Sequence, residues 1–167
     1  MKQILASLFL FSLLYGCASD VPLVIREPLA DNPRLAEVQS NPKAFLNRRV
    51  RWGGTIVSTK SVGNKAEVEI LAKAIDTAGR PEPGDVSLGR FLVSSDGFLD
   101  PATYGAGREV TVYGVLENVL MRNIGEHPYA YPFVQATQLY LWPEQRDYGN
   151  GTWYPQVNFG VGFGFGL

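Results

Sequence analysis

Five segments in the middle of the chain are strand candidates, and the clearest of them alternate apolar with polar positions. In residues 66–72, for example, Val68 and Ile70 alternate with Glu67 and Glu69. A period of two is typical of a β-strand that turns one face towards a core. The five predicted strands are residues 50–59, 66–72, 89–94, 109–118 and 133–142.

A short helix is predicted between the third and fourth strands, because Asp100 is an N-cap residue and Pro101 suits the first helical position. The order strand, strand, strand, short helix, strand, strand is the topology of the OB-fold, a small five-stranded Greek-key barrel. Gly53 and Gly54 interrupt the first strand and predict a bulge or a sharp bend. We therefore predict an all-β, OB-like barrel over residues 41–143, and another small antiparallel barrel or sandwich would fit the same pattern.

The N-terminus carries a different pattern, a largely apolar run from Ile4 to Leu14 that follows Lys2. The run is too short to span a bilayer, which takes about 20 apolar residues, and is typical of a secretory signal. It ends in Leu-Tyr-Gly at 14–16, directly before Cys17, and this resembles a bacterial lipobox. We predict that residues 1–16 are a signal peptide and that Cys17 is lipidated with a diacylglycerol group.

Residues 17–40 are predicted to tether the lipidated N-terminus to the barrel. Pro22, Pro28 and Pro33 recur in this segment and favour an extended chain. The apolar residues 23–25 also allow a short edge strand, and the sequence does not decide between these two interpretations.

The chain ends in a tail rich in Gly and aromatic residues, 144–167. From residue 157 onwards every second residue is apolar, with Asn or Gly between. Disorder, packing on the barrel as an edge strand, and contact with a membrane or a partner all fit this pattern. Because an exposed apolar run is an aggregation hazard, we carry forward the hypothesis that residues 148–167 contact membrane or an envelope partner, with disorder as the alternative.

Composition excludes several classes of chemistry. One Cys and one His leave no internal disulfide, CxxC pair, multi-Cys metal site or His cluster, so we predict no metal and no cofactor. Lys+Arg at 15 against Asp+Glu at 16 gives no bulk attraction to nucleic acid. Glu67 and Glu69 on the second strand would repel phosphates. Arg48, Arg49 and Arg51 are typical of a solvated strand end, with anionic lipid headgroups as a further possibility.

Candidate catalytic residues do not form a recognisable set. His127 would need a nucleophile such as Ser94 or Ser95 and a carboxylate such as Asp96 to act as a general base. The sequence has no nucleophile-elbow spacing around a serine. Asp96 and Asp100 suit a turn and a helix N-cap better than acid–base chemistry or a calcium site. We predict no catalytic residue and no enzyme activity.

Several motifs, in the right order, resemble the Slp family of proteobacterial outer membrane lipoproteins, whose founding members are starvation-inducible. They are Arg51–Ile56, Gly97–Tyr104, Val110–Gly114, Tyr131–Phe133 and Leu139–Trp142. The resemblance runs from the signal to about Trp142 and implies a non-enzymatic envelope lipoprotein related to stress or stationary phase. Asp after the lipidated Cys retains similar lipoproteins in the inner membrane. Ala18 in that position therefore implies the outer membrane, with the periplasmic face as the default.

An alternative function is an OB-type binding module for a glycan or small ligand. OB-folds bind such ligands on the outer face of strands two and three. A glycan binder would need a shallow groove there, lined by aromatic rings such as Trp52, Tyr113 or Tyr131. Burial of those rings would contradict this alternative.

Overall fold

The computed structural model describes residues 20–144. Most of this part is β-strand, with short helical elements ahead of the first strand. The elements are α1 (Leu23–Arg26), α2 (Leu35–Ser40), a 3₁₀ helix (Pro42–Ala44), β1 (Arg49–Val62), β2 (Lys65–Lys73), β3 (Gly89–Asp96), β4 (Glu109–Ile124) and β5 (His127–Leu141).

The five strands close into a barrel in the order β1-β2-β3-β5-β4. Neighbouring strands are antiparallel except β3 and β5, which run parallel with Leu92 opposite Phe133. β1 serves two partners, since its first half pairs with β4 and its second half with β2. This is the strand order of the OB-like Greek-key barrel, so the predicted fold is confirmed.

The alternating pattern of β2 builds one wall of the core. Ala66, Val68, Ile70 and Ala72 are buried, and the residues between them are partly exposed. Phe91, on the neighbouring strand β3, is fully buried in the same cluster. The alternation in this segment therefore predicted correctly which side chains face the core and which face outward.

The glycine pair in β1 allows a close approach of backbones. A Cβ at Gly54 would overlap the carbonyl oxygen of Leu71, and one at Gly53 would crowd neighbouring side chains. The register shift in β1 comes later, between Ile56 and Ser58. The irregularity of β1 therefore lies after the glycine pair that was expected to cause it. Gly54 serves the tight contact with β2, whereas Gly53 lies against side chains of Ile75, Pro81 and Thr111.

Between β3 and β4 the chain forms a hydrogen-bonded turn where a short helix was predicted. Asp100 does cap it, because its Oδ1 accepts a hydrogen bond from the Ala102 amide at 2.9 Å. The Asp100 carbonyl accepts from the amides of Thr103 and Tyr104, at 3.0 and 2.8 Å. The segment stops after this turn at Gly105, because glycine is a poor helix former and a single turn gains little from propagation.

Residues 22–40 pack on the barrel, so the predicted tether is wrong for this part of the chain. α1 is a helical turn that buries Ile25 completely, and α2 places Leu35 and Val38 in the core. α1 is not an edge strand either, because the amide of Ile25 bonds back to the Pro22 carbonyl at 3.0 Å. Leu35 and Val38 cover core surface that the five strands leave open, whereas Ile25 is buried outside the barrel wall beside Arg51.

β4 and β5 continue well beyond their predicted ends at residues 118 and 133. They remain paired from Asn118 opposite Phe133 to Ile124 opposite His127. A two-residue turn joins them, and its Gly125 has the positive φ of 60° that glycine tolerates. We call residues 118–133 the distal hairpin.

Candidate functional site

The distal hairpin covers the outer face of β2 and β3, where OB-like barrels bind ligands. The guanidinium of Arg122 donates two hydrogen bonds to the Glu67 carboxylate, at 2.6 and 2.8 Å. The Tyr131 hydroxyl donates to Glu69 Oε1 at 2.9 Å. Both contacts reach from β4 or β5 to β2 and therefore pass over β3. Accordingly Leu92, which lies on the outer face of β3, is only 2% exposed.

Charges under the hairpin are paired. Arg90 forms a second ion pair on this face, with its Nη1 at 2.8 Å from Glu69 Oε1. The hydrogen bonds from Arg122 lower the pKa of Glu67, and those accepted by the glutamates raise the pKa of Arg122 and Arg90. Burial, and then the hydrogen bond to Glu69, raises the pKa of Tyr131. Glu67 and Glu69 were expected to form an acidic face, but each is paired with an arginine, Arg122 and Arg90 respectively.

The aromatic groove expected of a glycan binder is not formed by the predicted rings. Trp52 and Tyr131 are 7% and 3% exposed, and Tyr113 is partly buried. Trp52 packs edge-to-face on Phe91 with ring centroids 5.3 Å apart, and its Nε1 donates to the Pro33 carbonyl at 2.8 Å. Trp52 thus stabilises the core and the N-terminal segment, and Tyr131 holds the distal hairpin on Glu69, so the two buried rings do not line a groove.

An apolar cleft of about 450 Å³ lies between α2 and the connection from β2 to β3. Its apolar lining includes Leu35, Trp52, Ile75 and Leu88. The cleft opens beside the buried edge of Trp52 and does not overlap the covered face of β2 and β3.

Arg51 fastens α1 to the barrel. Its Nε donates to the Ile25 carbonyl at 2.6 Å and its Nη2 to the Arg26 carbonyl at 3.3 Å. The side-chain amide of Asn32 pairs with the backbone of Arg51, accepting from its N–H at 2.8 Å and donating to its C=O at 2.7 Å. Burial lowers the pKa of Arg51, and the nearby charge of Asp76 opposes this effect.

The prediction of a solvated strand end is wrong for Arg51, which is 5% exposed, whereas Arg48 and Arg49 are exposed. Arg51 lies on the outside of the barrel wall, and α1 covers it there. The cover comes from residues 25 positions earlier in the chain, and local alternation carries no signal for such a contact.

The two ends of the described chain meet at one cluster. Thr111 Oγ1 donates to the Gly79 carbonyl at 2.6 Å and accepts from Trp142 Nε1 at 2.9 Å. Gly79 has a φ of 90°, and a Cβ there would overlap the Ile25 carbonyl oxygen. We call Ile25, Arg51, Gly79, Thr111 and Trp142 the terminal cluster. It brings the start of the described chain close to the end of β5.

The candidate catalytic residues are dispersed. His127 begins β5 at the tip of the distal hairpin, whereas Ser94 lies on β3 beneath it. Asp96 pairs with Lys65 at 3.3 Å, and Asp100 caps the turn described above. Within residues 20–144 there is no group of three His, Cys, Asp or Glu residues placed to hold a metal ion.

The lipidation site and the tail lie outside the described residues. Cys17 precedes Asp20, where the described part begins, and residues 148–167 follow its end at Glu144. The lipidation of Cys17 and the contact made by residues 148–167 therefore stay predictions. Among residues 20–144, no helix has the length and apolar character needed to cross a membrane.

Comparison with known protein families identifies the family to which the chain belongs. The family described as "Outer membrane lipoprotein Slp family" matches residues 14–162. The chain belongs to the Slp family. This Slp family protein is an outer membrane lipoprotein of the cell envelope, as the motif order had indicated.

A relative and a solved structure add to the comparison. The uncharacterized lipoprotein YeaY of Escherichia coli (strain K12) is 30% identical over 141 residues, which cover 84% of this chain and 72% of the relative. Among solved structures, a small single-stranded DNA-binding protein from Streptomyces coelicolor matches 57% of this chain and 94% of its own. Its identity is 13% and its TM-score is 0.37, a likeness too distant to carry an argument about function.

Proposed function

We propose that this Slp family lipoprotein is a non-enzymatic interaction module of the envelope that acts in stress or stationary phase. Acyl groups on Cys17 hold it on the periplasmic leaflet of the outer membrane. The cover of the distal hairpin over β2 and β3, fixed by Arg122 and Glu67, is the observation that supports this most directly. With that face covered, we assign the contacts to the segments that flank the barrel.

The tail is the segment that we propose makes the contact with membrane or an envelope partner. Its alternating apolar residues over 157–167 would share one face in an extended conformation. The terminal cluster supports this role, because Trp142 lies two residues before the end of the described chain and is linked through Thr111 and Gly79 to α1. The described chain therefore begins and ends on the same side of the barrel, and the predicted anchor and tail follow these two ends in sequence.

The alternative of a glycan or small-ligand module is not favoured. Its expected face is covered by the distal hairpin, and two of its three expected rings are buried. The apolar cleft beside Trp52 has room for a small ligand but lies outside that face.

Fractionation of two variants tests the proposal. We expect Cys17→Ser to appear in the soluble periplasm or to remain as uncleaved precursor, since two or more acyl chains are what hold a protein stably on a bilayer. Normal outer membrane fractionation of Cys17→Ser would rule out Cys17 as the attachment point.

Deletion of residues 148–167 should leave the anchor intact and reduce co-purification of envelope components from solubilised outer membrane. Unchanged co-purification and detergent extraction of the deletion would overturn the role of the tail. The Cys17→Ser and deletion experiments fail independently, since one removes the anchor and the other the contact.

A further inference from the structure

α1 presents two adjacent apolar side chains on the outside of the protein. Leu23 and Val24 are 57% and 41% exposed, whereas Ile25 in the same helical turn is fully buried. The turn therefore has one apolar side on the barrel and a second that faces outward. Isolated exposed apolar residues are ordinary on protein surfaces, and the position of this pair in the chain is what distinguishes it.

The pair lies close to the predicted lipid anchor. Leu23 comes six residues after Cys17, and an extended chain covers at most about 3.6 Å per residue, so the two are within roughly 20 Å. Only residues 18 and 19 of the intervening chain lie outside the described part. If Cys17 carries the acyl groups, α1 is thus held near the headgroups of the same leaflet.

α1 is also fixed rigidly to the barrel. Arg51 bonds to the carbonyls of Ile25 and Arg26, and Gly79 packs against the Ile25 carbonyl with no room for a Cβ. If α1 binds a surface, the whole barrel is therefore held in one orientation relative to that surface.

We propose that Leu23 and Val24 form a second membrane contact, inserting at the boundary between headgroups and acyl chains next to the anchor. The proposal rests on the acylation of Cys17 in the proposed function. The contact turns the terminal cluster, which holds α1 on the barrel, towards the bilayer. It is apolar in nature, because Arg26 is the one basic residue of α1 and the acidic residues Asp20 and Glu27 flank it, so α1 carries no basic patch.

Fluorophores attached to single introduced cysteines test this contact. The acylated full chain is reconstituted into vesicles of phosphatidylethanolamine and phosphatidylglycerol that contain brominated lipid. Because the sequence has one Cys, which is acylated, the label reports only the chosen site. We expect several-fold stronger quenching at Val24→Cys than at Val62→Cys, a matched control at the last residue of β1, where Val62 is 57% exposed. Raised salt should leave the difference unchanged.

Radical footprinting of the unlabelled protein provides a readout without substitution in α1. We expect Leu23 to be protected in vesicle-bound acylated protein relative to soluble Cys17→Ser, with Val62 oxidised equally in both. Equal quenching at the two labelled sites, or equal oxidation of Leu23 in the two samples, would overturn the membrane contact. If the proposed anchor fails instead, the protein will not float with the vesicles at all, and that outcome is distinct from the two above.

Discussion

The guanidinium of Arg51 caps the end of α1, with its Nε 2.6 Å from the carbonyl oxygen of Ile25. A helix end leaves carbonyl groups without partners, and buried ones need a donor. A helix of four residues is also too short to be stable alone. Arg51 therefore keeps α1 in place by donating from β1 to carbonyls that α1 cannot satisfy itself.

Arg51→Met should destabilise the barrel and release α1. The variant keeps most of the side-chain volume but leaves the Ile25 carbonyl without its donor, and a hydrogen bond to a charged group is worth about 1.5–3 kcal/mol. Urea unfolding measures the loss, and hydrogen exchange of residues 23–26 reports the release. Arg49→Met, at an exposed position two residues earlier, is the control and should change little. Equal stability of the two variants would contradict the role of Arg51.

Gly79→Ala should cost more stability than Gly84→Ala. Both glycines have positive φ, of 90° and 108°, so alanine pays a backbone cost of about 1–3 kcal/mol at either site. Only at Gly79 does the added Cβ also overlap the Ile25 carbonyl, whereas Gly84 has open space around it. Thermal unfolding of the two variants separates the cost of the Cβ overlap from the cost of the backbone strain. Equal losses of stability in the two variants would show that the contact between Gly79 and α1 is loose.

Trp52→Phe distinguishes a structural ring from a ligand platform. The substitution leaves the buried Pro33 carbonyl without its donor, at a cost of about 1–3 kcal/mol, and opens space beside Phe91. Chemical denaturation should register this loss. A variant as stable as the wild type would mean that Trp52 is not needed for packing and would reopen the glycan alternative.

The barrel strands were predictable from sequence because their information is local. Val68 and Ile70 are buried and Glu67 and Glu69 lie outside, as the alternation around them requires. The Asp100 cap was also readable, since it depends on neighbours within four residues. The helix expected there did not form, because Gly105 follows too soon for a second turn.

The covers on the barrel could not be predicted from local pattern. Arg51 looks like a solvated residue unless the position of α1 is known, and Arg122 is paired with a residue 55 positions away. The distal hairpin was missed because Gly125 was the only strong turn signal within a weakly alternating stretch. The family was predictable from the order of the sequence motifs, which does not depend on the periodicity of apolar residues.

The attachment of the distal hairpin to β2 should weaken in acid, because Glu67 becomes protonated. Arg122 lowers the pKa of this carboxyl in the folded protein, so the pair contributes its full stabilisation above the usual glutamate pKa of about 4.3. The contribution is lost as pH falls through the lower pKa of the folded state, because the protonated carboxyl no longer pairs with Arg122.

We therefore expect amide exchange in residues 119–131, corrected for the intrinsic effect of pH, to speed up in this acidic window. Glu67→Gln is the control, since it cannot titrate and should show faster exchange with a flatter pH profile. Part of the wild-type profile must remain in any case, because Glu69 also holds Tyr131 and Arg90 on this face. Identical profiles for wild type and Glu67→Gln would mean that the hairpin is held by packing on Leu92 and not by its charge pair.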